Sequence, residues 1–197
     1  MTITTRHTYL TRILHGLLAV AIIVQLGSSL GMSPAEDGHA GNTLFGAHEV
    51  AGLASFALVL AFWIWAMLRR VGTPLGVLFP WLSAARLSAL WGDSLHHLKM
   101  LGRLRMPEHQ DDGPLAGAIH GLGLSLVTVM AATGTFYYFS GAESPEAAGL
   151  PMLIHVTLGN LVWVYLLGHA AMGLLAHLAT GFDLRSMWSL AARVRRN

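Results

Sequence analysis

LPMLIHVTLGNLVWVYLLGHAAMGLL, residues 150–175, is an unbroken apolar stretch in which His155 and His169 stand fourteen residues apart. Fourteen residues of α-helix rise roughly 21 Å and complete almost four turns. Both imidazoles therefore share one face, near opposite ends of a span through about 30 Å of hydrocarbon. An ionisable side chain inside a bilayer is costly, so an intramembrane histidine is a functional residue by default. The interval suits two metal centres stacked across a membrane.

The rest of the chain supports a membrane setting. Of its 197 residues 54% are hydrophobic and only 11% charged, and the mean hydropathy is +0.55, far too apolar for an ordinary soluble domain. Four stretches reach membrane-crossing length: 9–30, 44–68, 115–139 and 150–175. The expected fold is all-α, an integral membrane four-helix bundle forming a single domain over 1–197. The first span follows basic residues as a signal peptide would. His15 within its core, and the lack of a small-x-small site after it, predict that it is retained.

All twelve Lys and Arg residues fall on one side of the four-span arrangement. Arg6 and Arg12 precede or open span one; Arg69, Arg70, Arg86, Lys99, Arg103 and Arg105 lie between spans two and three; the last four follow span four. The positive-inside rule then puts both termini and the middle loop of a multi-pass protein on the cytoplasmic side of its membrane. The loops 31–43 and 140–149 carry Glu36, Asp37, Glu143 and Glu146 but no Lys or Arg. The pI of 9.4 reflects this topology, and nucleic acid is not an expected partner. The absence of cysteine excludes disulfides, iron–sulfur ligation, thiol catalysis and covalent c-type haem.

Between spans two and three, residues 79–101 mix Trp81, Leu82, Leu87, Leu90 and Trp91 with Ser83, Arg86, Asp93 and Lys99, the pattern of an amphipathic helix on the inner membrane surface. Residues 106–114 read as an exposed turn. Residues 184–197 read either as a second interfacial helix attracted to anionic lipid or as a basic solvated tail. Gly92 to Leu95 reads Gly-Asp-Ser-Leu but lacks the strand-to-helix setting of a nucleophilic serine.

Depth sorts the histidines. His15 falls near the inner side of span one, His48 near the outer side of span two, His155 outside and His169 inside on span four. Two pairs result, His48 with His155 and His15 with His169. Each offers two imidazoles from different helices at one depth, as the two axial positions of a six-coordinate haem iron require. Such ligation leaves no open site and suits electron transfer. Residues four apart share a helix face. At that interval Gly52 follows His48, Gly159 follows His155, Gly173 follows His169 and Ala19 follows His15, small residues that leave room for a flat macrocycle or simply for helix packing. His120 is followed by Leu124 and is left as a substitute ligand or a proton-handling group. His7, His39, His96, His97, His109 and His177 read as surface groups.

With Arg12-Ile-Leu-His15, His48-Glu-Val-Ala-Gly52, Thr133-Gly134, His155 and His169, the chain resembles the bacterial cytochrome b561 family from Arg12 to about Phe182. That family is related to the cytochrome b subunits of nickel-iron hydrogenases. The resemblance implies two non-covalent b-type haems with His15, His48, His155 and His169 as axial ligands. It also implies a donor at the outer haem or a redox partner subunit, and membrane quinone as acceptor. Gly16 departs from the bulky aromatic that commonly follows the span-one histidine, which bears on packing around the inner haem. Arg12, Arg69 and Arg70 are placed to neutralise inner-haem propionates, although topology alone puts arginines there. Glu49 is either a proton-handling neighbour of His48 or an interfacial carboxylate. The surface helix with Trp81 and Trp91, near His120, is the first place to look for quinone.

The leading expectation is transmembrane electron transfer. An anchor subunit of a larger oxidoreductase such as a hydrogenase is a close variant. A histidine-dependent transporter of Zn or Ni needs polar residues along a path that the span interiors lack. A passive anchor or assembly protein would be colourless.

Overall fold

The computed structural model of the chain describes residues 8–180, apart from 37, 104, 106 and 108–112. Its helices are α1 (Tyr9–Ser29), α2 (Thr43–Leu68), α3 (Leu75–Leu78), α4 (Ala84–Leu101), α5 (Pro114–Ser140) and α6 (Leu150–Thr180), with 3₁₀ turns at Pro80–Leu82 and Glu146–Ala148. Helices α1, α2, α5 and α6 are each long and apolar enough to cross a membrane, with 21, 26, 27 and 31 residues. Even the shortest rises about 31 Å. Only 11% to 33% of their most apolar windows is buried inside the protein, and Val20, Ile23, Leu153 and Val156 stay exposed. Side chains of this kind suit contact with lipid tails.

Helix ends are fixed by residues that supply missing hydrogen-bond partners. The Thr8 hydroxyl accepts the Thr11 N–H at 3.3 Å before α1. Ahead of α2, Asn42 Oδ1 accepts the Phe45 N–H at 2.9 Å and its Nδ2 donates to the Gly31 carbonyl at 2.9 Å. Pro114 opens α5, where the missing N–H costs nothing. Gly141 ends it at φ 70°, a region other residues avoid.

Two elements differ from expectation. Helix α6 runs five residues beyond 175 and takes in His177. The helix expected over 79–101 is interrupted, because the residue before a proline avoids helical geometry. Phe79 sits at φ −122°, ψ 67°, Pro80–Leu82 forms a separate turn, and Ser83 is extended before α4 begins. Along α4, Leu87, Trp91, Leu98 and Leu101 are exposed, while Leu90, Asp93, Ser94, His97 and Met100 are half-buried. Most of the turn 106–114 and all of the segment 184–197 lie outside the described residues.

Internal contacts gather into two compact units. Of the described residues, the first comprises those of 8–13, 65–124 and 166–180; the second comprises those of 14–64 and 125–165. In the first, the Trp65 indole donates to the Thr11 hydroxyl at 2.9 Å, and Leu78, Phe79 and Pro80 are buried. The backbone of Val77 and Leu78 lies against two glycines of α5. A Cβ on Gly117 would stand 2.8 Å from the Val77 carbonyl oxygen, and one on Gly121 would overlap the Leu78 carbonyl. The Leu115 N–H in the first turn of α5 donates to Asp93 Oδ2 at 2.9 Å, and Asp93 Oδ1 is 3.2 Å from His97 Nδ1. Arg69 donates to the Thr73 carbonyl at 2.5 Å. Burial lowers its pKa, but an arginine stays charged at neutral pH.

In the second unit Val59 is fully buried and Ser55 nearly so. The Trp63 indole donates to the Thr128 hydroxyl at 3.0 Å, linking α2 to α5. Phe45 meets Tyr137 edge to face, with ring centres 6.3 Å apart.

Candidate functional site

The second unit brings His48 of α2 and His155 of α6 together, with ring centres 6.3 Å apart and ring planes at 82°. That separation is close to the roughly 6 Å that one metal bonded at about 2 Å to each ring in line would set. The protonation of both rings follows from their partners. His48 Nδ1 lies 3.1 Å from the Gln25 carbonyl, which can only accept, so Nδ1 carries the proton. The Ser28 hydroxyl, 3.0 Å from the same nitrogen, already donates to the Val24 carbonyl at 2.8 Å. Thr133 of α5 has its hydroxyl 3.0 Å from His155 Nδ1 and donates its own proton to the Val129 carbonyl at 2.7 Å. In His48 Nε2 therefore keeps its lone pair, the form in which imidazole binds a metal, and the same holds for His155 with the Thr133 proton on the Val129 carbonyl.

The surroundings of the pair divide between filled and open positions. A Cβ on Gly134 would stand 3.1 Å from His155 Cε1, so this glycine lets α5 approach the ring. Beside Gly159, one turn along α6 from His155, a Cβ would meet nothing within 4 Å. That face of α6 is therefore open one turn from the ring. Gly52 serves differently: a Cβ there would stand 3.0 Å from Gln25 Nε2, which crosses to donate to the His48 carbonyl at 2.8 Å. Glu49 is half-buried in the first turns of α2.

In the first unit His169 of α6 meets His120 of α5, with ring centres 5.1 Å apart and planes at 82°. This is shorter than a metal held in line between both rings would allow, and it is an ordinary edge-to-face contact. His120 Nδ1 donates to the Ala116 carbonyl one turn back on its own helix, at 2.7 Å. Gly173 follows on α6, half-buried. Arg12 is half-buried in α1 within this unit, and His15 is half-buried in α1 within the second unit.

The sequence singles out the histidines, the small residues four on and Glu49 as a neighbour of His48, but not the oxygens that meet the Nδ1 atoms. Gln25 and Ser28 carry no signal of their own in the sequence, while Thr133 and Gly134 stood out only as a pair carrying a resemblance. Among the described residues no group of three or more His, Cys, Asp or Glu side chains could hold a bare metal ion. Two imidazoles would suit a cofactor that brings its remaining ligands with it, as the haem macrocycle does. The residues present fit that group: two lone-pair nitrogens, a glycine at the ring and open space beside Gly159.

Four membrane-length helices, with an imidazole of one span beside an imidazole of another, define the class as a multi-span helical membrane protein. The family model described as prokaryotic cytochrome b561 matches residues 6–190, and the chain belongs to that family. It is accordingly a bacterial membrane cytochrome of the electron-transfer type, with haem b as the cofactor the family implies. No curated protein and no solved structure matches the chain.

Proposed function

We propose that the chain is a single di-haem domain that carries electrons across the bacterial inner membrane, with both termini cytoplasmic, from an outer-side donor to quinone. His48 and His155 would hold the outer haem through their imidazoles, and His15 and His169 the inner one. The His48–His155 geometry, with both Nδ1 atoms engaged and both Nε2 atoms left as donors, is the observation that carries this reading. When bound, haem b supplies reversible one-electron chemistry without an open coordination site. The chain's own residues hold the imidazoles, exclude water with apolar helix faces and place two ligands fourteen residues apart on α6.

The loop between α2 and α5 supports a quinone-binding surface. In this reading helix α4 lies on the inner face of the membrane, and it carries exposed Leu87, Trp91, Leu98 and Leu101 beside half-buried Asp93, Ser94 and His97. Between α4 and the start of α5 is a groove of about 730 Å³, walled by Trp81, Leu87, Trp91, Leu115, Ile119 and Leu122. Its size and apolar wall suit a quinone ring entering from the bilayer.

The test is an optical spectrum of detergent-purified protein, oxidised and reduced, with the haem extracted as its pyridine complex. The reading predicts b-type bands that, once reduced chemically, are reoxidised by quinone, and that are lost on histidine substitution. A colourless protein from haem-replete cells would overturn it.

A further inference from the structure

Two helix pairs of the second unit repeat one arrangement. On α1, the Ser28 hydroxyl lies 2.8 and 3.0 Å from the carbonyls of Val24 and Gln25 and 3.0 Å from His48 Nδ1 of α2, with the Gln25 carbonyl 3.1 Å from that nitrogen. On α5, the Thr133 hydroxyl lies 2.7 and 3.1 Å from the carbonyls of Val129 and Met130 and 3.0 Å from His155 Nδ1 of α6. The Met130 carbonyl is a hydrogen-bond partner of His155 as well. In each case a helical hydroxyl and the carbonyl three residues before it form a two-oxygen cradle for an imidazole of the next long helix. Each hydroxyl has one proton, and that proton is committed to its own helix. It can meet the imidazole only as an acceptor.

We infer that Ser28 and Thr133 are positioning residues which fix both outer imidazoles with Nδ1–H turned into the protein, and that they thereby set the redox equilibrium of the outer centre. The inference rests on the assignment of His48 and His155 as haem ligands. An acceptor on Nδ1–H draws that proton and makes Nε2 a stronger donor, as it does for other metal-bound histidines. A stronger donor favours the ferric over the ferrous state, and hydrogen bonding beyond the ligands is one of the levers on haem potential. Because the two cradles act on opposite ligands of one iron, their effects multiply in the equilibrium constant.

The experiment is a spectroelectrochemical titration of the full-length protein in detergent, comparing wild type with Ser28→Ala, Thr133→Val, the double variant and Thr133→Ser. Removing both hydroxyls shifts the outer centre about tenfold toward its reduced form, a rise of about 59 mV for a one-electron couple. Each single loss gives roughly half of that shift on the logarithmic scale. Thr133→Ser retains the hydroxyl and stays at the wild-type value, and the inner centre does not move. A double variant that keeps both haems at wild-type potentials would overturn the inference and leave the ligand assignment standing. So would a Thr133→Ser shift as large as that of Thr133→Val, because packing would then be the cause. Should the double variant not fold, the single variants decide by the same criteria. Wild-type protein without haem would overturn the ligand assignment and the inference together.

Discussion

The His48–His155 pair and the His120–His169 pair show two ways of holding an imidazole in an apolar helix. His48 and His155 are steered from outside: each Nδ1 meets oxygens on a different helix, those of α1 for His48 and those of α5 for His155. His120 is steered from within, by the Ala116 carbonyl one turn back on α5. A ring tied to its neighbour helix has its direction fixed by the packing of two spans, which suits a ligand that must aim at a shared atom. A ring tied to its own helix takes its direction from the turn of that helix. His120 meets His169 edge to face at 5.1 Å in that second manner.

The largest effect that separates the two modes is expected from alanine at a ligand. His48→Ala or His155→Ala removes the outer haem, which halves the haem-to-protein ratio, whereas His120→Ala leaves the ratio unchanged and alters the spectrum of the inner haem alone. A loss of haem from His120→Ala equal to that from His15→Ala would break the distinction. Next comes Gly121→Ala, whose methyl collides with the Leu78 carbonyl. Overpacking of this kind costs about 1–3 kcal/mol, read as a lower thermal midpoint, with the outer haem's spectrum unchanged.

Smaller again is Asp93→Ala, which removes the carboxylate that caps α5 at Leu115. A lost helix cap costs about 0.5–2 kcal/mol. The change should appear as faster hydrogen exchange in the first turn of α5, and equal exchange in both proteins would contradict the capping role. The smallest effect is expected from Asn42→Ala. Its exposed cap on α2 is worth about 0.5 kcal/mol, visible as a drop of a few degrees or less in thermal midpoint.

The four spans were legible in the sequence because their signal is additive. Each apolar residue lengthens a run, and the observed helices begin and end within one residue of expectation everywhere except at the end of α6. There the run thins out through Ala176, His177 and Thr180, and helix propensity carries the chain further than hydropathy alone. The break at Pro80 was legible in principle, since a proline sits inside the stretch read as one helix. What could not be read is the register between helices. Ser28 precedes His48 by twenty residues and Thr133 precedes His155 by twenty-two, and only packing decides that those hydroxyls meet those rings. The same holds for Gly52, which leaves room for the amide of Gln25, a tenant no local pattern announces.

The most direct test of the account is the ratio of haem b to protein in the purified wild type and in His155→Ala, measured side by side by pyridine haemochrome and amino-acid analysis. The account predicts two haems per chain falling to one. A single haem in the wild type, or a ratio unchanged by the substitution, would contradict it.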